Sequence, residues 1–132
     1  MLLLPQHIIE RKDLKNWVLL ILNVHKTILK NSNEGNYILP TTSKKLESII
    51  TSSLNYYSTL RKKLLTLYFL IIKGHPFLNA NKRTAVAILL FLCEYWNIKK
   101  CPQGTQLKKI SLEIAKNKLT LEELFQLFDS SS

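Results

Sequence analysis

Five polar side chains that could act on a phosphate lie within nine residues near the middle of the chain: His75, Asn79, Asn81, Lys82 and Arg83. Histidine is the side chain whose ordinary pKa lets it accept a proton near neutrality. Arginine matches phosphate oxygens bidentately, and lysine adds a second positive charge. The segment GHPFLNANKRTA therefore predicts a site that binds an anionic phosphate and takes a proton from an incoming group.

Apolar segments on both sides place these residues in a loop between two helices, with LLTLYFLII before the loop and VAILLFLC after it. Gly74 suits the end of the first helix, because glycine reaches the left-handed conformation that closes a last turn, and Pro76 prevents continuation. Asn79 or Asn81 is expected to cap the second helix. The N-terminus of that helix offers unpaired N–H groups and a partial positive charge, which predicts an anion site.

The same segment resembles the signature of the Fic/Doc superfamily, whose wider pattern is His-Pro-Phe-x-Asp/Glu-Gly-Asn-Gly-Arg. The positions that match are His75, Pro76, Phe77, Asn81 and Arg83. Ala80 and Lys82 replace the two glycines, and the lysine is similar to the Doc (death-on-curing) toxin branch. The resemblance extends from about Leu19 to Phe128, although only this segment is specific.

The resemblance implies an all-α fold and transfer of a phosphate-containing group from ATP to a Ser or Thr hydroxyl of a protein. Doc-type proteins transfer the terminal phosphoryl group, whereas Fic enzymes typically transfer AMP. A third alternative is a non-catalytic member that only binds a partner or a nucleotide. The known Doc target is translation factor Tu and the inhibitor is an antitoxin, so the resemblance implies an elongation factor and an antitoxin as protein partners.

Carried over by position, the resemblance gives each residue of the motif a role. His75 would be the base that takes the proton of the target hydroxyl. Asn81, Lys82 and Arg83 would bind phosphates. Phe77 would anchor the loop in the core.

Asn79 stands where the family has a metal-binding carboxylate. An amide oxygen can ligate Mg²⁺ but brings no charge, and Mg²⁺ sites normally use one or two carboxylates with substrate phosphates. No Asp or Glu occurs from Ser48 to Cys93. A magnesium site would therefore need Glu34, Glu47 or another distant acid, and a weakened or metal-poor enzyme is a real alternative.

Composition favours a single helical domain over residues 1–132, with an N-terminal extension at 1–12 and a frayed tail at 129–132. Apolar residues make up 46% of the chain, against three glycines and four prolines. The formal charge is +10, from 19 Lys and Arg against 9 Asp and Glu, which favours an acidic protein or a nucleotide as partner. Aromatic residues do not alternate with the basic ones, so direct nucleic-acid binding is not expected.

The apolar runs are shorter than the ~20 residues that cross a bilayer, so no membrane segment is expected. Cys93 and Cys101 form no metal pattern. Cys93 is interpreted as a small core residue and Cys101 as a loop residue, with no disulfide. The default is therefore a reducing, cytoplasmic location.

The elements that must position the motif follow from apolar spacing. A first helix is predicted over Asp13–Leu29, with an inward stripe of Trp17, Leu20, Ile21, Val24 and Ile28. His25 lies beside that stripe and is interpreted as a partly buried structural histidine. A central pair of helices is predicted from Ser53 or Asn55 to Gly74 and from about Asn81 to Asn97. With further helices this makes six or seven in all.

Residues 31–40 are predicted to form a loop, in which the resemblance implies a flap at Tyr37–Leu39 that aligns the target. The alternative is an ordinary connection that places Ile38 and Leu39 in the core. Thr42 or Ser43 is expected to cap the next helix, which ends near Ser52. Ser43 and Glu47 approach the inhibitory pattern of Fic proteins, but Ser48 stands where Gly or Asn is required, so no built-in inhibitor is expected.

Two helices are predicted after the central pair. One covers Leu107–Lys116, with inward positions Leu107, Ile110, Ile114 and Ala115. The last begins at Thr120, where Glu123 three positions later completes a capping box. Its inward positions are Leu121, Leu124, Phe125 and Phe128.

Overall fold

The computed structural model describes residues 11–35, 38–99 and 101–129, and these form six α-helices without a strand. The helices are α1 (Arg11–Asn31), α2 (Thr42–Tyr56), α3 (Leu60–Gly74), α4 (Asn81–Tyr95), α5 (Gly104–Ala115) and α6 (Leu121–Asp129). The all-α prediction is confirmed. Most of the predicted extension at 1–12 and tail at 129–132 lies outside the described residues. None of the helices described combines the length and apolar character that a membrane span requires.

Helices α3 and α4 form the predicted central pair. Both bury side chains on several sides, which suits helices in the middle of a domain. α2 packs against α3, α1 against α2 and α4, α5 against both central helices, and α6 against α3. The motif loop, residues 75–80, joins the two central helices at one end. The residues of the motif therefore lie where the two central helices meet.

The predicted start of α3, at Ser53 or Asn55, is wrong by about one and a half to two turns, because the helix begins at Leu60. Ser53 lies inside α2, where its buried hydroxyl donates to the backbone one turn earlier. Thr59 is the N-cap residue of α3, and its hydroxyl oxygen accepts from the Lys62 N–H at 3.3 Å. Several polar residues in this segment could cap a helix, and packing decides between them.

The outer helices follow the predicted patterns closely. α1 is longer than predicted at both ends, and Trp17 and Ile21 are fully buried in it. The capping box of α6 is present, since Thr120 and Glu123 exchange side-chain to backbone hydrogen bonds of 2.9 and 3.1 Å. Ala115 is exposed, so its predicted inward position is wrong. The other predicted inward positions of α5 and α6 are buried, except Leu121, which is partly buried.

Cys93 and Cys101 form a disulfide, with their Cα atoms 6.3 Å apart, so the expectation of no disulfide is wrong. The chain reverses at the end of α4, where Asn97 adopts a left-handed conformation with φ 51°. There the Ile98 N–H donates to Cys93 O at 2.9 Å, as in a Schellman C-cap. This reversal returns the chain toward α4 and brings the two cysteines together, which their spacing alone does not indicate.

Candidate functional site

The motif loop is bounded by two residues in the left-handed region. His75 has φ 48° and ψ 56°, and Ala80 has φ 61° and ψ 26°. The expectation that Gly74 supplies this conformation is wrong, because no described glycine has a positive φ. Gly74 is needed for packing instead, since a Cβ there would lie 3.0 Å from Ile49 Cδ1 in α2. The backbone strain of the helix end therefore falls on the histidine of the motif.

One ring nitrogen of His75 is held by a hydrogen bond, and the other has no partner among the described residues. Its Nδ1 lies 3.1 Å from Ile72 O, and its side chain is exposed. A carbonyl oxygen only accepts hydrogen bonds, so Nδ1 carries the proton and donates. In the neutral ring the lone pair is then on Nε2. This is the tautomer that a general base acting through Nε2 requires.

Asn81 closes the motif loop on Phe77. Its Oδ1 accepts from the Phe77 N–H and its Nδ2 donates to Phe77 O, both at 3.0 Å. The Asn81 side chain is 4% exposed and Phe77 is 1% exposed. Phe77 thus lies in the core. Both polar side-chain atoms of Asn81 are bonded to the loop backbone, so in this arrangement the side chain is not available to a phosphate.

The N-terminus of α4 has backbone donors without acceptors. Neither Asn79 nor Asn81 caps it, contrary to expectation, because the N-cap residue is Ala80 and its side chain has no oxygen. The first helical hydrogen bond runs from the Thr84 N–H to Ala80 O at 2.9 Å. The N–H groups at 81, 82 and 83 find no acceptor in the part of the chain described. Together with the charge of Lys82, they are the donors that the predicted anion site would use.

The carboxylate of Glu34 forms an ion pair with the guanidinium of Arg83. The two side chains pair bidentately, with NH1–Oε2 at 2.7 Å and NH2–Oε1 at 3.1 Å. Ser32 donates its hydroxyl hydrogen bond to the same carboxylate, and Asn79 Nδ2 donates to it at 3.3 Å. The bond from Arg83 is the main reason why the pKa of Glu34 falls from 4.5 to about 2. The same bond raises the pKa of Arg83.

The C-terminus of α1 places this carboxylate. Asn33 adopts a left-handed conformation with φ 59°, and the Glu34 N–H donates to Leu29 O at 2.8 Å. This is a Schellman C-cap with asparagine in the left-handed position. It turns the chain so that Glu34 reaches the motif. The sequence shows residue types that favour a turn here, but it does not show in which direction the chain leaves α1.

Asn79 and Glu34 do not complete a resident magnesium site. Asn79 Oδ1 is buried and has no partner among the described residues, so one free oxygen is present. Among the described residues, the carboxylate beside it belongs to Glu34 and is held by Arg83. Glu47 is exposed on α2, and no cluster of three or more His, Cys, Asp or Glu side chains occurs within 11–35, 38–99 and 101–129. In this arrangement the residues offer a neutral oxygen but no free carboxylate, so they do not fit a Mg²⁺ ion, which is normally bound through one or two carboxylates together with substrate phosphates.

His25 supports the motif loop from α1, a role that the sequence analysis did not assign. It is fully buried, and its ring is stacked on Phe77 with centroids 3.7 Å apart and planes at 5°. Its Nε2 lies 3.1 Å from Asn79 O, so Nε2 carries the proton and donates. Nδ1 is buried and has no partner in the described chain, and burial is the main cause that lowers the pKa of His25. The residue is therefore held neutral.

Thr42 connects the loop before α2 to the motif. Its buried hydroxyl donates to Pro76 O at 2.7 Å and accepts from the Leu39 N–H at 3.1 Å. The prediction that Thr42 or Ser43 caps α2 is wrong, since the N-cap residue is the preceding threonine, which makes no side-chain cap. Ile38 is 46% exposed, so its alternative placement in the core is wrong as well.

The predicted flap at 37–39 is only partly described. Tyr37 lies outside the described residues. Residues 38 and 39 form no strand. The flap stays a prediction. Its one observed link to the motif loop runs through Thr42, which accepts from the Leu39 N–H and donates to Pro76 O.

A cavity of about 570 Å³ opens beside the N-terminus of α4, between α1, α4 and α5. Its lining includes Lys82 and Arg83 from the motif and Lys108 from α5. His75 is not among the lining residues. The cavity thus adjoins the predicted anion site on the side of Lys82 and Arg83, and His75 lies outside its lining.

Comparison with known proteins gives one match. A family model described as the Fic/DOC family matches residues 18–93, which is more than half of the chain. The matched region runs from α1 to the C-terminal part of α4 and includes the whole motif loop. No curated protein and no solved structure matches the chain.

Proposed function

The chain belongs to the Fic/DOC family, and on that premise we propose that it is a Doc-type transferase that moves the terminal phosphoryl group of ATP to a Ser or Thr hydroxyl of a protein. The observation that carries this proposal is that one short loop joins His75, with Nε2 free, to a helix N-terminus with unpaired N–H groups. Lys82, in place of the second glycine of the Fic pattern, supports the Doc type over AMP transfer.

In the proposed step, the target hydroxyl oxygen attacks the γ-phosphorus while the bond from that phosphorus to the bridging oxygen of ADP breaks. Nε2 of His75 takes the hydroxyl proton, because Nδ1 already carries a proton, which it donates in a hydrogen bond to Ile72 O. The N–H groups of α4 and the Lys82 ammonium stabilise the negative charge of the transferring group. Arg83 joins them once it leaves Glu34. Mg²⁺ would arrive with the triphosphate, and no step is assigned to it.

His75 and the phosphate site at the N-terminus of α4 are both held in place by the same loop. Asn81 and His25 hold the backbone at Phe77 and Asn79, which fixes the helix N-terminus relative to His75. Most of the catalytic effect would come from this positioning and from charge stabilisation. The protein would supply little covalent chemistry of its own.

The test is to incubate a cell lysate and the protein with ATP labelled at the α- or the γ-phosphate. Label that reaches a protein from the γ position alone supports phosphoryl transfer, and label from the α position would show AMP transfer instead. The matched variant is His75→Asn, because asparagine tolerates the left-handed backbone at this position but cannot act as the base. We expect it to lower labelling by at least about 100-fold. No labelling by the wild type would favour the non-catalytic alternative.

That alternative has two observations in its favour. Arg83 is already paired with Glu34, and the position of the usual metal-binding acid is an asparagine. A non-catalytic member would bind a partner without changing it. Growth of expressing cells would then be the same for the wild type and His75→Asn.

The partners and the location belong to the same proposal. A translation elongation factor as target and an antitoxin as inhibitor follow from the similarity to the Doc branch alone. Mass spectrometry of the labelled protein identifies the target. A cytoplasmic location agrees with such a target, whereas the Cys93–Cys101 disulfide is of a kind that is rare in reducing compartments. Alkylation of these cysteines in intact cells tests the location.

A further inference from the structure

We propose that Thr42 is a positioning residue for the transfer reaction: its hydroxyl, carried by α2, holds the peptide bond that follows Pro76 and so keeps the ring of His75 in the form that accepts a proton on Nε2. This inference rests on the proposed function and adds to it a residue outside the motif. It concerns the state of one ring, so it can be tested without knowledge of the protein target.

The hydroxyl of Thr42 is not used by the helix that carries it. It is fully buried and donates to Pro76 O at 2.7 Å, across 34 positions of the chain, while its oxygen accepts from the Leu39 N–H at 3.1 Å. The buried hydroxyls of Ser53 in α2 and Thr66 in α3 instead donate to carbonyl groups one turn earlier in their own helices. Such bonding is the usual local use of a hydroxyl inside a helix. Thr42 therefore joins α2 to a loop that is distant in the chain.

The peptide group between Pro76 and Phe77 is held at both ends. Its carbonyl accepts from Thr42 of α2, and its N–H donates to Asn81 Oδ1 of α4 at 3.0 Å. Because the peptide is planar and the proline ring fixes φ of Pro76, few dihedral angles remain between this peptide and His75. The orientation of the peptide therefore limits where the histidine can lie.

Helix α2 also holds the chain on the other side of His75. A Cβ on Gly74 would lie 3.0 Å from Ile49 Cδ1, so the end of α3 packs closely against α2. His75 itself has φ 48° and ψ 56°, a left-handed conformation that a residue other than glycine keeps only when its surroundings hold it there. Contacts from α2 therefore reach both residues that flank the histidine, and Thr42 makes the one that is a hydrogen bond.

Loss of the Thr42 hydroxyl has a definite consequence for the ring. In Thr42→Val, Pro76 O keeps its buried place but loses its donor, and a buried carbonyl without a partner is costly, so the peptide turns toward water. That rotation moves His75 away from Ile72 O, which holds its Nδ1–H at 3.1 Å. This hydrogen bond decides which ring nitrogen carries the proton. Without it the ring shifts toward the form with the proton on Nε2, which the free side chain prefers and which cannot accept a proton there.

The experiment reads this proton by ¹⁵N NMR of the imidazole rings of the full chain at about pH 9, well above the ordinary pKa of histidine. The spectrum of His75→Asn assigns the signals. We expect His75 to carry its proton on Nδ1 in the wild type and mainly on Nε2 in Thr42→Val. Thr42→Ser keeps the hydroxyl and should keep the wild-type form. Thr66→Val makes the same change at a buried threonine away from the motif and should keep it as well.

Transfer of label supplies the second measurement. At saturating γ-labelled ATP, the initial rate of labelling of lysate protein should fall about 10- to 100-fold in Thr42→Val, since a small misplacement of a reacting group can cost this much. The affinity for inorganic triphosphate should not change, because Asn81 keeps its bonds to the loop and Lys82 is untouched. Thr42→Ser should restore the rate, and Thr66→Val should stay close to the wild type.

Thermal melts check that each variant is folded. Thr42→Ala also lacks the hydroxyl but adds no methyl group, and it replaces Thr42→Val if the latter does not melt cooperatively. The same tautomer and the same loss of labelling are expected of it.

The outcomes separate this inference from the function that it extends. If the variant without the hydroxyl keeps the Nδ1–H form, or if the wild type carries the proton on Nε2, the positioning role is refuted. It is also refuted if Thr42→Val and Thr66→Val lower the labelling rate equally, because Thr42 would then act through stability alone. If the proton moves as expected but the wild type transfers no label, Thr42 does orient His75 and the proposed transfer is what fails.

Discussion

The pairing of Glu34 with Arg83 predicts that removal of one carboxylate increases phosphate binding. In Glu34→Gln the side chain keeps its shape but loses its charge. The guanidinium N–H groups that contact Glu34 at 2.7 and 3.1 Å are those that a phosphate would use bidentately. The wild-type protein must break this pair before Arg83 can bind a phosphate. The variant has a weaker contact to break and one negative charge less beside the ligand.

The solvent exposure of Arg83 and Glu34 sets the expected size of this increase in phosphate affinity. The Arg83 and Glu34 side chains are 48% and 33% exposed, so water and salt screen the pair. We therefore expect affinity for inorganic triphosphate to rise by about 3- to 10-fold in Glu34→Gln, and less at high salt. Labelling of the target at ATP concentrations below saturation should rise by a similar factor.

The pH dependence of this effect has a definite sign. The pKa of Glu34 is lowered from 4.5 to about 2 in the folded protein, so the carboxylate stays ionised above pH 4. A group with a lowered pKa contributes its stabilisation above the unfolded value and loses it only as the pH falls toward 2. The ratio of affinities between Glu34→Gln and the wild type should therefore stay constant from pH 5 to 8. Mild acid should not release Arg83.

A matched control separates local pairing from net charge. Glu47→Gln removes the charge of an exposed acid on α2 and leaves Arg83 paired. Calorimetry with inorganic triphosphate should show no change beyond about twofold in this variant. An equal rise in both variants, or no rise in Glu34→Gln, would refute the idea that Glu34 competes with phosphate for Arg83.

Three further predictions concern the residues around the motif. Burial lowers the pKa of His25, so between pH 6.5 and the folded pKa only the unfolded chain binds the proton. The free energy of unfolding therefore falls as the pH drops through that window. Urea unfolding at pH 7.5 and 5.5 should show this loss in the wild type and less of it in His25→Gln. Cys101→Ser opens a loop closed across eight positions and should lower the free energy of unfolding by about 2.5 kcal/mol, and a reductant should lower the melting temperature of the wild type but not of the variant. Asn79→Asp adds a second carboxylate beside Glu34 and should make ATP affinity sensitive to Mg²⁺ removal by EDTA; equal affinities with and without the chelator in calorimetry would contradict it.

The parts of the fold that could be predicted from the sequence are those set by local chemistry. The central helices follow from runs of apolar residues, and Pro76 together with the polar loop residues limits them. The capping box of Thr120 and Glu123 is likewise a pattern within four residues, and it forms as predicted. Where several polar residues compete, as before α3, local chemistry does not decide and the predicted helix start was wrong.

The contacts that complete the site could not be predicted, because they join residues far apart in the chain. Glu34 reaches Asn79 across 45 positions, and His25 reaches the same residue across 54. His25 lies in the C-terminal half of α1 and Glu34 just beyond its end, so the approach of both depends on how α1 packs against α4. A single sequence carries the types of these residues but not that packing. The interpretation of His25 as a structural histidine is confirmed, although the side chain is more deeply buried than predicted, and its contact with the motif loop was not predicted.

Glu34 bears on one departure from the family pattern, the asparagine at position 79. Asn79 stands in place of the acid that binds a metal in the family, and Glu34 brings a carboxylate to the side chain of Asn79 from just beyond the end of α1. That carboxylate cannot neutralise Arg83 and ligate a cation fully at the same time, because both use the same oxygens. Any event that draws Arg83 to a phosphate therefore frees Glu34 beside the unpartnered Oδ1 of Asn79. In this protein, phosphate binding by Arg83 and the availability of oxygen ligands for a cation should rise together.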